Sequence, residues 1–232
     1  MSIYGEVQKE VLATRLETEY GVAAEFLPTR TVHVERVAGV GEGYAETAMG
    51  NAQLGLRLSP APVGTGLDYA LGEGVERGYL LPSFHVAVEE AIDRELAEGL
   101  HGWRLTDLTV RMSHGRFSAP TPSAGEYRPL VHLAFREALA TAGTTVCAPV
   151  SSIELVVPAE SLTAVLSMLV GYGASPEPVE VGPSRCLVAG TMPTSEVGVF
   201  ERRLPDLTSG RGVLLTQPAG HVPVVGTPPS RR

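Results

Sequence analysis

The feature that most constrains the fold is a run of alternating strand-like and helix-like segments between residues 151 and 217. In chain order it reads strand, helix, strand, strand, helix, strand, at residues 151–157, 159–170, 178–181, 185–191, 195–207 and 212–217. Both helical segments repeat apolar residues every three or four positions, which buries one helix face; they are Leu162, Val165, Leu166, Leu169 and Val170, then Val197, Phe200, Leu204 and Leu207. This order predicts a ferredoxin-like β-α-β-β-α-β domain, with both helices on a four-stranded antiparallel sheet.

A second domain is predicted over residues 38–145. It also contains both strands and helices, so the whole chain is predicted to belong to the α+β class. Two segments alternate apolar residues with polar or small ones, as strands with one buried face do: Leu54, Leu56 and Leu58 in the first, and Leu108, Val110 and Met112 in the second. The residues around them, 38–53 and 113–125, are rich in glycine, proline and small residues and are predicted to be loops.

Two helices are predicted in the same region. The first covers residues 84–98, with Ser83 as its cap and Gly99 at its end, and buries Phe84, Val88, Ala91, Ile92 and Leu96. The second follows Ser123 and Glu126, which have the spacing of a capping box, and ends at Gly143. Its apolar face consists of Tyr127, Leu130, Val131, Ala134, Phe135, Ala138, Leu139 and Ala142.

The two ends of the chain differ from this pattern. A helix is predicted over residues 5–20 with an apolar face of Val7, Val11, Leu12, Leu16 and Tyr20, followed by strands at 22–26 and 31–37. One helix and two strands cannot close a core, so residues 1–37 are interpreted as part of a larger domain, and residues 1–35 are expected to dimerise or to be disordered. The proline- and glycine-rich residues 218–232 are predicted to be disordered.

Composition excludes several classes of protein. No segment reaches the ~18 consecutive apolar residues of a membrane helix, and no signal peptide is recognisable, so we expect a cytoplasmic protein without a membrane partner. The two cysteines, Cys147 and Cys186, are expected to be reduced, half-buried thiols in strands. The net charge of −8 argues against a broad nucleic-acid surface, so any RNA contact must be confined to a local region.

Catalysis by this chain is not predicted. The sequence contains no G-x-x-x-x-G-K-[ST], G-x-G-x-x-G, H-E-x-x-H or C-x-x-C motif, and no nucleophile–base arrangement with a local signature. His85 and Glu89 lie one helical turn apart, but a solvated helix face is the preferred interpretation over a metal pair. The sequence therefore predicts neither a metal site nor a bound cofactor.

Two loops are better candidates for a function. Residues 78–83 place apolar residues just before a predicted helix, and residues 114–122 carry Phe117 between Arg116 and two prolines. Unpaired RNA bases are bound by stacking on aromatic, arginine or flat apolar groups, and a proline-rich loop presents such groups at low entropic cost. An ordinary surface loop whose Phe117 folds back into the core is the alternative, and residue types alone do not decide between the two.

An ordered series of motifs resembles the translation factors related to elongation factor G. Residues 5–22 are similar to a segment of its domain III, through Gly5-Glu6-Val7-Gln8-Lys9-Glu10-Val11, Arg15-Leu16 and Tyr20-Gly21-Val22. Domain IV of the tetracycline-resistance ribosomal protection proteins is matched by Gly78-Tyr79-Leu80, Gly99-Leu100-His101-Gly102-Trp103 and Glu126-Tyr127-Arg128. Domain V is matched by Ala148-Pro149-Val150, Pro158-Ala159-Glu160 and Leu207-Thr208-Ser209-Gly210-Arg211-Gly212.

This resemblance implies a domain organisation and a partner. Residues 1–37 would be part of domain III, residues 38–145 a domain IV with a ribosomal protein S5 domain 2-like fold, and residues 146–217 the ferredoxin-like domain V. GTP hydrolysis with GTP and Mg²⁺ would belong to a GTPase domain outside this chain. The implied partner is the ribosome, where domain IV reaches 16S rRNA at the decoding centre and dislodges tetracycline.

The resemblance also assigns residues to the tip of domain IV. The main tip loop would be Gly115, Arg116, Phe117, Ser118, Ala119, Pro120 and Thr121, followed by Pro122. A second tip loop would be Tyr79, Leu80, Leu81, Pro82 and Ser83, and a third would lie at about residues 46–51. Arg111 and Arg128 are predicted to contact phosphates.

The tip sequence separates two activities within the family. Elongation factor G carries a His-Asp pair in this loop, and Ser118 and Ala119 occupy those places here. This favours ribosomal protection over translocation. A translocase or recycling paralogue and an inactive structural fragment stay as alternatives.

Overall fold

The computed structural model describes residues 6–24 and 31–231 of the chain. Within them the elements are, in chain order, α1 (Glu6–Tyr20), β1 (Val34–Val37), β2 (Gly41–Glu46), β3 (Ala52–Pro60), β4 (Leu67–Leu71), a 3-10 helix (Arg77–Tyr79), α2 (Pro82–Glu95), β5 (Arg104–Leu105), β6 (Leu108–Phe117), α3 (Ala124–Ala142), β7 (Thr144–Pro158), a second 3-10 helix (Ala159–Ser161), α4 (Leu162–Gly171), β8 (Ser175–Pro176), β9 (Glu180–Val181), β10 (Arg185–Pro193), α5 (Thr194–Thr208) and β11 (Val213–Pro223).

The described residues divide into two compact units. The larger unit contains residues 33–148 and 221–231, and the smaller unit contains residues 6–24, 31–32 and 149–220. Strand β7 contributes to both, because its first residues pair with β1 in the larger unit and residues 150–158 pair with β10 in the smaller one.

The larger unit is built on a four-stranded sheet of order β2-β3-β6-β4. β2, β3 and β6 are antiparallel, and β4 runs parallel to β6. The apolar residues of β3 and β6 face α2 and α3 in one buried core, as the alternation in the sequence predicts. The predicted apolar faces of both helices are buried, namely Phe84, Val88, Ala91, Ile92 and Leu96 in α2 and Tyr127, Leu130, Val131, Ala134, Phe135, Ala138, Leu139 and Ala142 in α3.

Strand β2 lies directly against α3 because two of its inward positions are glycine. A Cβ atom at Gly43 would overlap the carbonyl oxygen of Ala134, and one at Gly41 would overlap that of Ala138. Real Cβ atoms do not approach a backbone oxygen this closely. The strand and helix backbones are therefore in contact, without a layer of side chains between them.

A buried carboxylate on β1 holds together the segments around β5 and β7 in the larger unit. Glu35 on β1 is fully buried and accepts hydrogen bonds from the backbone N–H groups of His101 and Trp103, both at 2.9 Å, and from Thr144 Oγ1 at 2.6 Å. Gly99 lies so close to this carboxylate that a Cβ atom would clash with it. Because a buried charge is costly unless its oxygens are hydrogen-bonded, these donors are what allow Glu35 to sit between β5 and β7.

Asp107 fixes the turn before β4. Its Oδ1 accepts the N–H groups of Gly64 at 2.9 Å and Gly66 at 3.1 Å, and its Oδ2 accepts Arg36 Nε at 2.9 Å. Its backbone lies in the left-handed region with φ of 55°, which aspartate tolerates better than most residues. Burial alone would raise the pKa of Asp107, but the Gly66 and Gly64 hydrogen bonds and Arg36 outweigh burial and lower that pKa below its ordinary value.

The smaller unit has the ferredoxin-like order that the sequence predicts. β10 pairs antiparallel with residues 150–158 of β7, β8 and β9 pair with β10, and β11 pairs with β7. The core contains residues of the sheet, of both helices and of the segment after α4: Ile153, Leu155, Val157, Val165, Leu169, Ala174, Cys186, Val188, Met192, Phe200 and Leu204. The predicted strand thiols, Cys147 on β7 and Cys186 on β10, are both buried and free. Among the described helices, none has the length and apolar character needed to cross a membrane.

Several sequence predictions were wrong, each for a physical reason. Residues 38–53 are not a loop, because β2 and the start of β3 lie there and their glycines serve packing. The tail from residue 218 is not disordered, because residues 213–223 form β11 and pair with β7. Helix α2 begins at Pro82, which suits a first helical position, so Ser83 is not its cap. Val170 is exposed on α4, outside the buried face.

The N-terminal predictions are partly outside the described residues. α1 has the predicted end, but Val11 and Tyr20 are exposed, so it does not bury the expected apolar face. Residues 22–24 are not in a strand, and residues 25–30 lie outside the described chain. The assignment of residues 1–37 to a partial domain and the dimerisation of residues 1–35 stay predictions.

We expect Gly43→Ala to destabilise the larger unit by about 3 kcal/mol, because the added Cβ forces β2 away from α3. Gly78→Ala is the matched control, since a Cβ there meets no atom within 4 Å, and it should stay within about 0.5 kcal/mol of the wild type. Urea unfolding followed by the fluorescence of Trp103, the single tryptophan, measures both variants. Equal stability of the two variants would contradict the close packing of β2 on α3.

We expect Asp107→Asn to cost about 1–3 kcal/mol near neutral pH, because the buried pair with Arg36 loses its negative partner. Since the folded-state pKa of Asp107 is lowered, the charged form stabilises the fold above about pH 4 and this contribution is lost as the pH falls through the folded pKa. The difference in unfolding free energy between wild type and variant should therefore shrink on acidification. Asp68→Asn, which breaks a more exposed pair with Arg111, is the control and should have a smaller effect.

Candidate functional site

Three chain segments meet at one end of the four-stranded sheet of the larger unit. They are the turn between β2 and β3, the segment that enters α2, and the segment between β6 and α3. Strands β3 and β6 bring the first and third together, because Ala52 pairs with Phe117 at this end. We refer to residues 46–51, 79–83 and 115–122 as the tip. All three segments were predicted to belong to one site, and the structure places them side by side.

Asn51 holds two of these segments together. It is 6% exposed, and its Nδ2 donates to the carbonyl oxygen of Pro120 at 2.8 Å. Its Oδ1 accepts Thr47 Oγ1 at 2.6 Å, and its carbonyl oxygen accepts the N–H of Ser118 at 2.9 Å. The side chain and the backbone of one residue thus hold the loop after β6 against the turn before β3.

Phe117 anchors the loop to the core instead of projecting from it. Its ring is half-buried and meets Phe84 edge-on, with ring centroids 5.4 Å apart, and Phe84 in turn stacks on Tyr127 at 4.8 Å. The carbonyl oxygen of Arg116 accepts the Tyr127 hydroxyl at 3.0 Å. The interpretation of Phe117 as a free stacking ring is therefore wrong, and the alternative that it folds back onto the core is the observed one.

A β-bulge explains why Phe117 faces inward. Gly55 pairs with His114 and Leu56 pairs with Met112, so Ser113 is an extra residue in β6. Before the bulge the even-numbered positions of β6 are buried, and after it Gly115 and Phe117 face the core while Arg116 is exposed. The residue opposite the bulge is Gly55, where a Cβ would lie 2.8 Å from Ser113 Oγ and 3.0 Å from His114 Cβ, so glycine fits this crowded position better than a larger residue. This extra residue is why the strand was predicted to stop at Met112.

The exposed surface of the tip is small and apolar in character. In the main loop Arg116, Ser118, Ala119, Pro120 and Thr121 are exposed, whereas Gly115 and Pro122 are buried. In the second segment Tyr79, Leu81, Pro82 and Ser83 are exposed, and Leu80 is buried against Gly115. Met49, at the turn before β3, is 74% exposed. Exposed apolar groups gathered in one place are typical of a contact surface.

The arginines of this region have different surroundings. Arg111 bonds to Asp68 at 2.5 Å and lies away from the tip, and Arg128 pairs with Glu90 at 3.1 Å. Each is paired with a carboxylate in this structure, and a phosphate would have to compete with that carboxylate, so their phosphate contact stays a prediction. Arg116 has no carboxylate partner among residues 6–24 and 31–231, and it lines a shallow pocket of about 340 Å³ with Tyr79 and His114. It is the tip residue with the charge and exposure for a phosphate contact.

The remaining titratable groups do not assemble a catalytic or metal site in the described part of the chain. No three His, Cys, Asp or Glu residues among those described lie close enough to hold a metal ion. The prediction that His85 lies on a solvated helix face is wrong. His85 is buried, and its Nε2 lies 2.9 Å from the carbonyl oxygen of Arg77. It thereby helps hold the 3-10 helix before α2.

The region that contains the tip matches a known protein family. The family described as elongation factor G, domain IV, matches residues 36–143. The chain is similar to the oxytetracycline resistance protein of Streptomyces rimosus, with 40% identity over 99% of this chain and 35% of that protein. It is also similar to the tetracycline resistance protein TetM of Streptomyces lividans, with 39% identity over 96% of this chain and 35% of that protein.

Two proteins with lower sequence identity match over a similar share of this chain. The tetracycline resistance protein TetP of Clostridium perfringens is 30% identical over 95% of this chain and 34% of that protein. A crystal structure of a protein from Thermus thermophilus has the same fold, with a TM-score of 0.75 at 24% identity over 95% of this chain and 34% of that one. The chain thus spans about a third of the length of the curated relatives it matches.

We expect Asn51→Ala to loosen the tip, because the Pro120 carbonyl and the Thr47 hydroxyl lose their partner. Removing one partner of buried hydrogen bonds costs about 1–3 kcal/mol. Hydrogen exchange should become faster at the amide of Ser118 and in the loop around it. Arg57→Ala, which removes an exposed side chain of β3 outside the tip, is the control. Unchanged exchange at Ser118 in the Asn51 variant would show that Asn51 does not hold the tip.

Proposed function

The chain belongs through residues 36–143 to the elongation factor G domain IV family, and we propose that it is the ribosome-contacting part of a translation GTPase that protects the ribosome from tetracycline. Similarity over 95% or more of the chain to resistance proteins of two Streptomyces species and of Clostridium perfringens supports this proposal. The main structural observation behind it is that the three segments of the tip meet at one end of the larger unit and are held there by Asn51 and Phe117.

The proposed division of labour follows from what the chain contains. It spans about a third of the length of its relatives and has no phosphate-binding motif for a nucleotide. We therefore assign GTP, Mg²⁺ and GTP hydrolysis to the remainder of a longer protein, and no catalytic residue to this chain. The energy of nucleotide binding and most of the ribosome contact would come from that remainder.

The tip is suited to a crowded RNA site because it is small, apolar and held rigidly. Pro120, Leu81 and Tyr79 are flat or compact groups that can lie against a nucleobase or occupy the volume of a planar drug. Asn51 and the packing of Phe117 hold the loops in one arrangement before binding, which lowers the entropic cost of the contact. Arg116 would add one phosphate contact.

The acidic charge of the chain fits a local contact at 16S rRNA. With a net charge of −8, the body of the chain is repelled by phosphate, whereas the tip combines apolar groups with the exposed Arg116. The decoding centre would therefore be reached by the tip alone. Ser118 and Ala119 are small and carry no charge, which suits displacement of a drug better than the translocation role of the His-Asp pair in elongation factor G.

The test replaces only the exposed part of the loop. In a longer protein that includes this chain, Ser118-Ala119-Pro120 is changed to Gly-Ser-Gly, which leaves Phe117 on the core. We expect growth in tetracycline to be lost while protein level and ribosome-dependent GTP hydrolysis are kept, because binding and hydrolysis lie elsewhere. The minimum inhibitory concentration and the GTPase rate are the measurements.

Leu133→Ser is the matched control, since Leu133 is an exposed apolar residue on α3 outside the tip, and resistance should be unchanged. Full resistance in the loop variant would reject the role of the tip. If the unaltered protein instead restores translation to an extract depleted of elongation factor G, the translocase alternative is correct. Absence of both activities in the longer protein would favour an inactive structural role.

A further inference from the structure

The last described residues of the chain occupy a groove on the larger unit that the proposed function does not use. Trp103 Nε1 donates to the carbonyl oxygen of Pro229 at 2.7 Å, and the Arg231 guanidinium lies 5.9 Å from the centre of the Trp103 ring. The N–H of Arg231 donates to the carbonyl oxygen of His101 at 3.0 Å, and the N–H of Val224 donates to that of Val146 at 2.9 Å. The tail is therefore seated by specific contacts.

We refer to His33, Glu98, His101, Gly102 and Trp103 as the tryptophan groove. The His33 ring lies against Trp103, with centroids 4.9 Å apart, and Glu98 lines the same small pocket as Arg231. An aromatic wall, a hydrogen-bond donor for a proline carbonyl and a carboxylate near an arginine are the features by which proteins bind short proline-rich segments. The segment in the groove has this composition, since it reads Pro228-Pro229-Ser230-Arg231.

The groove is fixed by residues other than the tail. Glu35 accepts the N–H groups of both His101 and Trp103, and the N–H of Gly99 donates to the carbonyl oxygen of Trp103 at 2.7 Å. None of these three bonds involves residues 224–231, so they do not depend on the tail for a donor or an acceptor. A site whose shape does not depend on its ligand loses little order when that ligand is exchanged.

The tail, in contrast, contributes almost nothing to the hydrophobic core. None of residues 221–231 is buried, and Val225 is 98% exposed. Segments held by a few exposed hydrogen bonds and few buried apolar contacts open far more readily than core elements. The contacts of residues 224–231 are therefore those of a bound ligand rather than of a structural layer.

We propose that the tryptophan groove is a peptide-binding site for a short proline-rich segment followed by an arginine, and that residues 224–231 occupy it as a reversible ligand within the same chain. Covalent attachment gives the tail a high effective concentration at the groove, so a separate peptide of the same kind binds only when the tail is weakened or released. Release of the tail exposes Trp103.

The experiment uses the full 232-residue chain and a fluorescein-labelled synthetic peptide with the sequence of residues 221–232. The tail-weakened variant carries Pro228→Gly, Pro229→Gly and Arg231→Glu, which raise the disorder of the tail and place a negative charge near Glu98. We expect the peptide to bind this variant at least about tenfold more tightly than the wild type, because the competing tail is weaker. Fluorescence anisotropy measures binding, and Trp103 emission reports opening of the groove.

Two further variants test the assignment. Val225→Ser alters an exposed position of the tail, so it should bind peptide as weakly as the wild type. Trp103→Phe in the tail-weakened chain keeps a ring but removes the N–H, and it should weaken peptide binding about fivefold or more, the loss of one good hydrogen bond. Equal binding by wild-type and tail-weakened chains, or no binding by a tail-weakened chain with a wild-type circular dichroism spectrum, would overturn the proposal.

A measurement on the wild type covers the case in which the tail-weakened chain does not fold. The amides of Val224 and Arg231 should exchange hydrogen at least about 100-fold faster than that of Leu105, which lies in the core. Equal protection of these three amides would show that the tail is a permanent part of the fold. A concentration-dependent dimer that Trp103→Phe abolishes would assign the groove to the tail of a second copy and overturn the assignment within one chain.

Discussion

The direct contact between the backbones of β2 and α3 is the constraint on which the larger unit depends. Gly41 and Gly43 let the strand approach the helix at positions where α3 carries alanine, and any side chain there would collide with a helix carbonyl oxygen. The contact sets the relative position of β2, which leads into the turn before β3, and of α3, which begins after the main loop. Small residues outside the tip thus help to position two of the elements that carry it.

The tip combines a rigid base with an exposed end that has little charge. Asn51 and Phe117 face inward and hold the loops, whereas Pro120, Leu81 and Tyr79 face outward. Most arginines of the region are paired with carboxylates, so Arg116 is the described tip residue that brings an uncompensated positive charge. A surface of this kind gains specificity from shape more than from electrostatic attraction, which agrees with the acidic character of the whole chain.

Periodic patterns in the sequence predicted most elements and both buried cores, because alternation and helical spacing report directly on burial. These patterns failed to predict an element where glycine residues allow two backbones to pack in direct contact. Residues 41–46 lack strand-like apolar residues, since glycine fills the inward positions, and they were therefore predicted to be a loop. The three segments of the tip could be predicted from the resemblance, but the inward direction of Phe117 and the hydrogen bonds of Asn51 depend on contacts between distant residues. Glu35 was missed for the same reason.

The bulge at Ser113 has a consequence for which changes this protein can tolerate. Ser113 is one residue more than the partner strand β3 has at this point. The direction of each side chain beyond the bulge therefore depends on the number of residues in this part of β6 as well as on their types. Loss of Ser113 would remove the bulge and make the alternation regular, so Gly115 and Phe117 would still face the core and Arg116 would stay exposed. An additional residue between Met112 and Phe117, in contrast, would turn Arg116 toward the apolar interior unless a second bulge formed, so this part of β6 is expected to tolerate the loss of one residue better than the gain of one.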